Sequence, residues 1–122
     1  MSERSAPNVS TLAGAAPLFA ALGDESRLRL VTRLSTEGPL SITQLSSGQA
    51  ITRQAVTKHL RVLANAGILV DSHRGRERLW QVQPQQLDQA RYWLDRISQQ
   101  WDEAINRLRL HVEAEGPASS SP

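Results

Sequence analysis

Apolar residues recur at helical spacing near the start of the chain: Leu12, Ala15, Ala16, Phe19 and Leu22 mark one face of a first helix. Gly23 stops that helix and Asp24 caps a second, in which Leu28, Val31 and Leu34 form the inward stripe. The second helix ends at Gly38-Pro39, because a proline cannot continue it. Ser41 caps a short third helix with Ile42 and Leu45 inward, the turn Ser46-Ser47-Gly48-Gln49 follows, and Thr52 caps a fourth helix. There Val56, Leu60 and Leu63 fall within about 60° on a wheel of 100° per residue, which turns Gln54, Lys58, Arg61 and Asn65 outward. Gly67 ends it. Ile68-Leu69-Val70 and Leu79-Trp80-Gln81-Val82 read as strands flanking the polar turn His73-Arg74-Gly75-Arg76. Pro84 breaks the second strand, and no Gly or Pro interrupts a long helix from Gln85 to about Glu113.

That last helix carries an oligomerisation signal. Leu87, Ala90, Leu94, Ile97, Trp101, Ala104, Leu108 and His111 follow an unbroken alternation of three and four, and Ile105 and Val112 widen the stripe. A helix of about 29 residues spans roughly 43 Å, more than the diameter of so small a domain. Part of its apolar face needs a second chain, and Leu12, Leu18 and Phe19 of the first helix add to the surface expected to meet it. Residues 1–10 and 114–122 are rich in Ser, Pro, Ala and Gly and read as flexible tails around one domain, residues 11–113.

Composition narrows the chemistry. A chain of 122 residues with 39% hydrophobic content suits one domain. It has no apolar run long enough to cross a bilayer and no signal-peptide pattern at Met1-Ser2-Glu3-Arg4, so a cytoplasmic protein without membrane contact is expected. The absence of cysteine excludes disulfides and thiolate chemistry, and three scattered histidines, His59, His73 and His111, point away from a metal cluster. No cofactor is expected. Neither a Ser-His-Asp arrangement, a nucleotide-binding loop nor a paired-carboxylate motif is legible, so an enzyme is not indicated. Net charge is only +2, yet the stretch from Ile51 to Arg78 holds six basic residues against Asp71 and Glu77. A basic segment in a near-neutral chain suits a phosphate-binding surface, since Lys and Arg displace counterions condensed on nucleic acid.

The order helix, helix, short helix, turn, helix, hairpin, long helix is that of a winged helix-turn-helix, mainly α with a small β-hairpin wing, whose second motif helix enters the major groove. Leu22-Gly23-Asp24-Glu25-Ser26-Arg27-Leu28-Arg29-Leu30, Ala55-Val56-Thr57-Lys58-His59-Leu60-Arg61-Val62-Leu63 and Ala66-Gly67-Ile68-Leu69-Val70, with Gly75-Arg76-Glu77 at the wing, closely resemble the ArsR-type repressors over roughly residues 12–113. The resemblance implies a homodimeric repressor that occludes a promoter and dimerises through its first and last helices, with Leu94, Ile97, Trp101, Ala104, Ile105 and Leu108 in the seam. Family members often release DNA on binding metal. Here the family's cysteine pair aligns with Ser41 and Thr43, and a second family site on the last helix meets Ile97 and Ala114 where His and Glu are needed, so no metal site is expected.

Roles in DNA binding follow from the docking of such a motif on duplex DNA. Arg53, Gln54, Thr57 and Lys58, near the start of the recognition helix, are expected to reach base edges, and Arg61 a phosphate. Arg74 and Arg76 on the wing meet the minor groove or its phosphates, and Thr43 and Gln44 donate to the backbone. The operator of a twofold dimer is expected to be palindromic. The alternative is a winged-helix module whose basic face binds an acidic protein. The sequence names neither the operator nor any small-molecule effector.

Overall fold

The computed structural model describes residues 11–48 and 51–120, with side chains as far as residue 114. The expected N-terminal tail and Gln49 of the expected turn lie outside the described residues. The order is α1 (Leu12–Leu22), α2 (Glu25–Glu37), β1 (Leu40–Ser41), α3 (Ile42–Ser46), α4 (Arg53–Asn65), β2 (Leu69–Arg74), β3 (Glu77–Val82) and α5 (Pro84–Ser120). Thr11, Asp24, Ser41 and Thr52 open α1 to α4, each side chain accepting a hydrogen bond from the backbone N–H three residues on. Each satisfies a donor that the helix itself leaves free. At the α1–α2 corner Arg27 reaches back, its Nε donating to the Ala21 carbonyl at 2.6 Å and its Nη2 to the Ala20 carbonyl at 3.4 Å. The run from Gly23 to Arg27 therefore encodes a helix corner.

Leu18, Leu45, Val56, Leu60, Leu63 and Ile68 are fully buried, with Leu30, Val31, Leu34, Leu40, Leu69 and Trp80 around them. Two sequence expectations change here. Leu28 is half-exposed and Leu30 takes its inward place, because the face of α2 that packs on the core is the one shared by Leu30, Leu34 and Val31, and Leu28 falls about 60° beyond it on the wheel. Leu18, expected at a dimer interface, is wholly buried in its own chain, since Ala15, Leu18 and Ala21 form the inward row of α1. Phe19 packs partly buried against the same core, and Leu12 is exposed.

The three strands form an antiparallel sheet in the order β1-β3-β2. β1 pairs Leu40 with Trp80, a contact too short to be foreseen from alternation. β2 and β3 pair from Leu69 with Val82 to Arg74 with Glu77, which leaves Gly75-Arg76 as a two-residue turn. Gly75 has φ +65° and Arg76 does not share a positive φ, the dihedral signature of a type II′ hairpin.

The link from α4 to β2 is closed by two hydrogen bonds. Gly67 N–H donates to the Ala64 carbonyl at 2.9 Å and Ile68 N–H to the Leu63 carbonyl at 3.0 Å. This is a Schellman stop, with Leu63 and Ile68 both buried beneath it. Gly67 takes φ +80°, and the buried Gln86 of the first turn of α5 donates its Nε2 to the Ala66 carbonyl at 3.2 Å. Pro84 begins α5, where a missing N–H costs no helical bond.

The chain divides into one unit ending at Ala90 and another beginning at Arg91. In the first, Ala90 is buried and Leu87 packs on the core. In the second, Tyr92 and Trp93 meet edge to face at 5.5 Å, and Leu94, Ile97, Trp101 and Leu108 are between 52% and 66% exposed. The helix does not end near Glu113 but runs to Ser120 through Gly116 and Pro117. No helix among the described residues is long and apolar enough to cross a membrane.

A Cβ at Gly67 would lie 2.5 Å from Gln86 Nε2, whereas one at Gly75 would meet nothing within 4 Å. Gly75→Ala is expected to lower unfolding free energy by about 1–2 kcal/mol, the cost of the left-handed backbone alone. Gly67→Ala adds the loss of the Gln86 hydrogen bond, for about 2–4 kcal/mol in all. Urea unfolding checks the pair, and equal losses would show that Gln86 contributes nothing at this junction.

Candidate nucleic-acid interface

The N-terminal half of α4 lines an open groove with Thr52, Arg53, Gln54, Ala55, Thr57, Lys58 and Arg61. Arg53, Gln54, Lys58 and Arg61 are exposed, and α4 carries no acidic residue to neutralise them. Val56, Leu60 and Leu63 anchor the opposite face in the core, which holds this polar face outward. The groove is therefore a firm cationic surface with both donors and acceptors.

Several of these side chains already hold hydrogen bonds within the protein. Thr57 donates its hydroxyl to the Arg53 carbonyl at 2.8 Å, so its two acceptor lone pairs and the methyl remain for a partner. Arg53 Nη1 donates to Thr43 Oγ1 at 2.8 Å, tying α4 to α3. Gln44 Oε1 accepts from the Ser41 N–H at 2.9 Å while its own N–H donates to Ser41 Oγ, a reciprocal capping box. Gln44 Nε2 is left over from that box. His59, on the flank of α4, is half-buried with Nδ1 4.0 Å from Asp24 Oδ2. The Arg27 backbone N–H, aided by the nearby charges of Arg27 and His59, holds the Asp24 carboxyl below the usual range.

In the hairpin, Arg74 is exposed at the end of β2 and Arg76 is exposed in the turn. Arg78 is engaged: its Nε donates to Asp71 Oδ2 at 2.7 Å, and its guanidinium lies 4.4 Å from the centre of the Trp80 ring. Trp80 is buried in the core, so this pair braces the base of the hairpin. The basic stretch read from sequence thus splits into Lys58, Arg61, Arg74 and Arg76, which are exposed, Arg53, which is bonded to Thr43, and Arg78, which is held by Asp71 and Trp80.

Of the residues singled out from sequence, Arg53, Gln54, Thr57, Lys58 and Arg61 lie together in the groove. Thr43 joins Arg53 directly, and Arg74 and Arg76 sit on the hairpin. Thr52, which the sequence marks only as a cap, also lines the groove. Its position just before the first helical residue is the signal that could have found it.

Residues 22–71 match a family described as a helix-turn-helix domain. The chain is 34% identical over 96 residues to the HTH-type transcriptional regulator Rv2034 of Mycobacterium tuberculosis, covering 79% of this chain and 86% of that one. It is 30% identical over 109 residues to the arsenic resistance transcriptional regulator ArsR1 of Pseudomonas putida, covering 84% and 81%. Among solved structures, an ArsR-like transcriptional regulator from Rhodococcus sp. RHA1 superposes with a TM-score of 0.71 at 31% identity, over 80% of this chain and 92% of that one.

The brace at the hairpin base has a pH signature. The Arg78 hydrogen bond holds the Asp71 carboxyl below its usual range, against a smaller opposing effect of burial. A depressed carboxyl stabilises the fold above the ordinary aspartate value of about 3.9, and that stabilisation is lost as pH falls through the lower folded value. Wild type is therefore expected to exceed Asp71→Asn by about 0.5 kcal/mol near neutrality, the scale of a part-exposed pair, and to converge with it as pH falls through that lowered folded value. A gap that stays constant from neutral to acid pH would contradict the pairing.

Proposed function

The chain belongs to the ArsR-type family of helix-turn-helix transcriptional regulators, and on that premise we propose that it is a homodimeric repressor that reads a palindromic operator with α4 and grips its backbone with the hairpin. That it is a DNA-binding transcriptional regulator follows from the family; the finer statements are our reading. One observation carries them: the acid-free groove of α4, with an exposed Gln and three exposed cations on a helix anchored from behind. Arg53 and Gln54 pair with guanine and adenine edges, the Thr57 methyl meets a thymine methyl, and Lys58 reads guanine or holds phosphate. Arg61, Arg74 and Arg76 hold phosphate or the minor groove, and Gln44 donates to a backbone phosphate, whereas Thr43, expected to do the same, is instead engaged by Arg53.

Two copies are needed to read a palindrome. Leu94, Ile97, Trp101, Ile105 and Leu108 leave apolar surface exposed along α5, with Ala104 beside them, and Leu12 is exposed at the start of α1. Such surface in one chain favours burial against a second copy, which closes a twofold interface. Leu18 has no part in it.

Metal release is not carried over from the family. Ser41 is buried with its hydroxyl in the capping box, and the Thr43 hydroxyl accepts from Arg53. Neutral hydroxyls already committed to the fold do not fit a soft metal, and no step of the proposed function runs through one.

Gln54→Ala is expected to cost about 1–3 kcal/mol per half-site on the operator and little on random duplex, because a base-edge contact carries sequence information. Arg76→Ala is expected to weaken both, and to lower the slope of log affinity against log salt by about one unit for each phosphate no longer neutralised. Fluorescence anisotropy across a salt series checks the contrast. Equal weakening of specific and random binding by both variants would overturn the assignment of α4, and undiminished operator binding by Gln54→Ala would remove Gln54 from the base contacts.

A further inference from the structure

Thr43 stands outside the recognition helix, yet its Oγ1 receives the Nη1–H of Arg53 at 2.8 Å across the α3–α4 gap. The hydroxyl is delivered by a helix with little freedom of its own. The α3 N-terminus is fixed by the Ser41–Gln44 capping box, Leu45 is fully buried, and Arg33 Nη1 donates to the Leu45 carbonyl at 3.4 Å. The α4 side is equally defined, since Arg53 is its first residue and the Arg53 carbonyl is held by Thr57.

An arginine on an exposed surface ordinarily samples many rotamers, and ordering it on a base costs affinity. Here one of its five donors is already spent on a fixed acceptor. The Nη2–H and Nε–H edge stays free, and that edge carries the two parallel donors that a bidentate contact to guanine O6 and N7 requires. We propose that Thr43 is a positioning residue that holds the Arg53 guanidinium in its guanine-reading orientation before DNA arrives, so that the discrimination for guanine depends on a hydroxyl in α3. This rests on the reading of α4 as the base-reading helix. It differs from a phosphate contact by Thr43, which acts alike on every sequence.

Thr43→Val keeps the branched shape and removes the hydroxyl, and Thr43→Ser keeps the hydroxyl. In the free protein, NMR relaxation of the Arg53 Nε–Hε group is expected to show an ordered side chain in wild type and Thr43→Ser and a mobile one in Thr43→Val. On duplex selected by the wild-type protein from random DNA, Thr43→Val is expected to lose about 2- to 12-fold in affinity per half-site, the cost of ordering one long side chain. Thr43→Ser restores it, random duplex changes less than about twofold, and Thr43→Val adds no loss in an Arg53→Ala background. Equal Arg53 mobility in wild type and Thr43→Val overturns the positioning role even where DNA reading stands. So does an equal loss on selected and random duplex, or a loss that persists without Arg53. A wild-type protein that selects no sequence while its Arg53 is ordered overturns the reading of α4, and with it the guanine-reading role of Thr43.

Discussion

The left-handed turn at Gly67, with the Gln86 carboxamide against it, fixes where α4 ends and so where everything after it begins. The turn drops Ile68 into the core beneath Leu63 and starts β2 one residue later. Gln86 then ties the first turn of α5 to the Ala66 carbonyl at the C-cap of α4. A helix stop is usually a local matter. Here one glycine without a Cβ lets three elements meet, and a longer or rotated α4 would move both its polar face and the strand that leads into the hairpin.

At the other end of α4 the governing fact is which polar groups the fold has already used. Thr57 has donated its hydroxyl, Gln44 has committed its carboxamide oxygen, and Arg78 is held by Asp71 and Trp80. Gln54, Lys58 and Arg61 are exposed in the groove, Arg74 at the end of β2 and Arg76 in the turn. Counting charges along a sequence treats all arginines alike, but the packed protein divides them into braces and contacts. A brace shapes the surface without binding to it.

The helices were legible because their caps were: Asp24, Ser41 and Thr52 each stand just before an apolar period, and Gly67 just after one. The polar face of α4 followed from the period of Val56, Leu60 and Leu63. β1 was not legible, since two residues cannot show alternation, and its pairing with Trp80 depends on a strand some forty positions later. Leu18 and Leu28 show the limit of periodicity, because a residue near the edge of a stripe is assigned inward or outward only by what packs on it. The bonds from Arg53 to Thr43 and from Arg78 to Asp71 were invisible for a related reason. Each joins two elements, and no spacing rule within one element reaches across.

In the proposed function two copies of α4 read DNA through one twofold axis. Its most direct test is selection of bound duplexes from a random pool by the full chain, followed by sequencing. An imperfect palindrome is expected, with half-site centres about 10 to 12 base pairs apart, one helical turn. Enrichment of a single asymmetric site, or of no sequence at all under conditions where duplex DNA is retained, would contradict it.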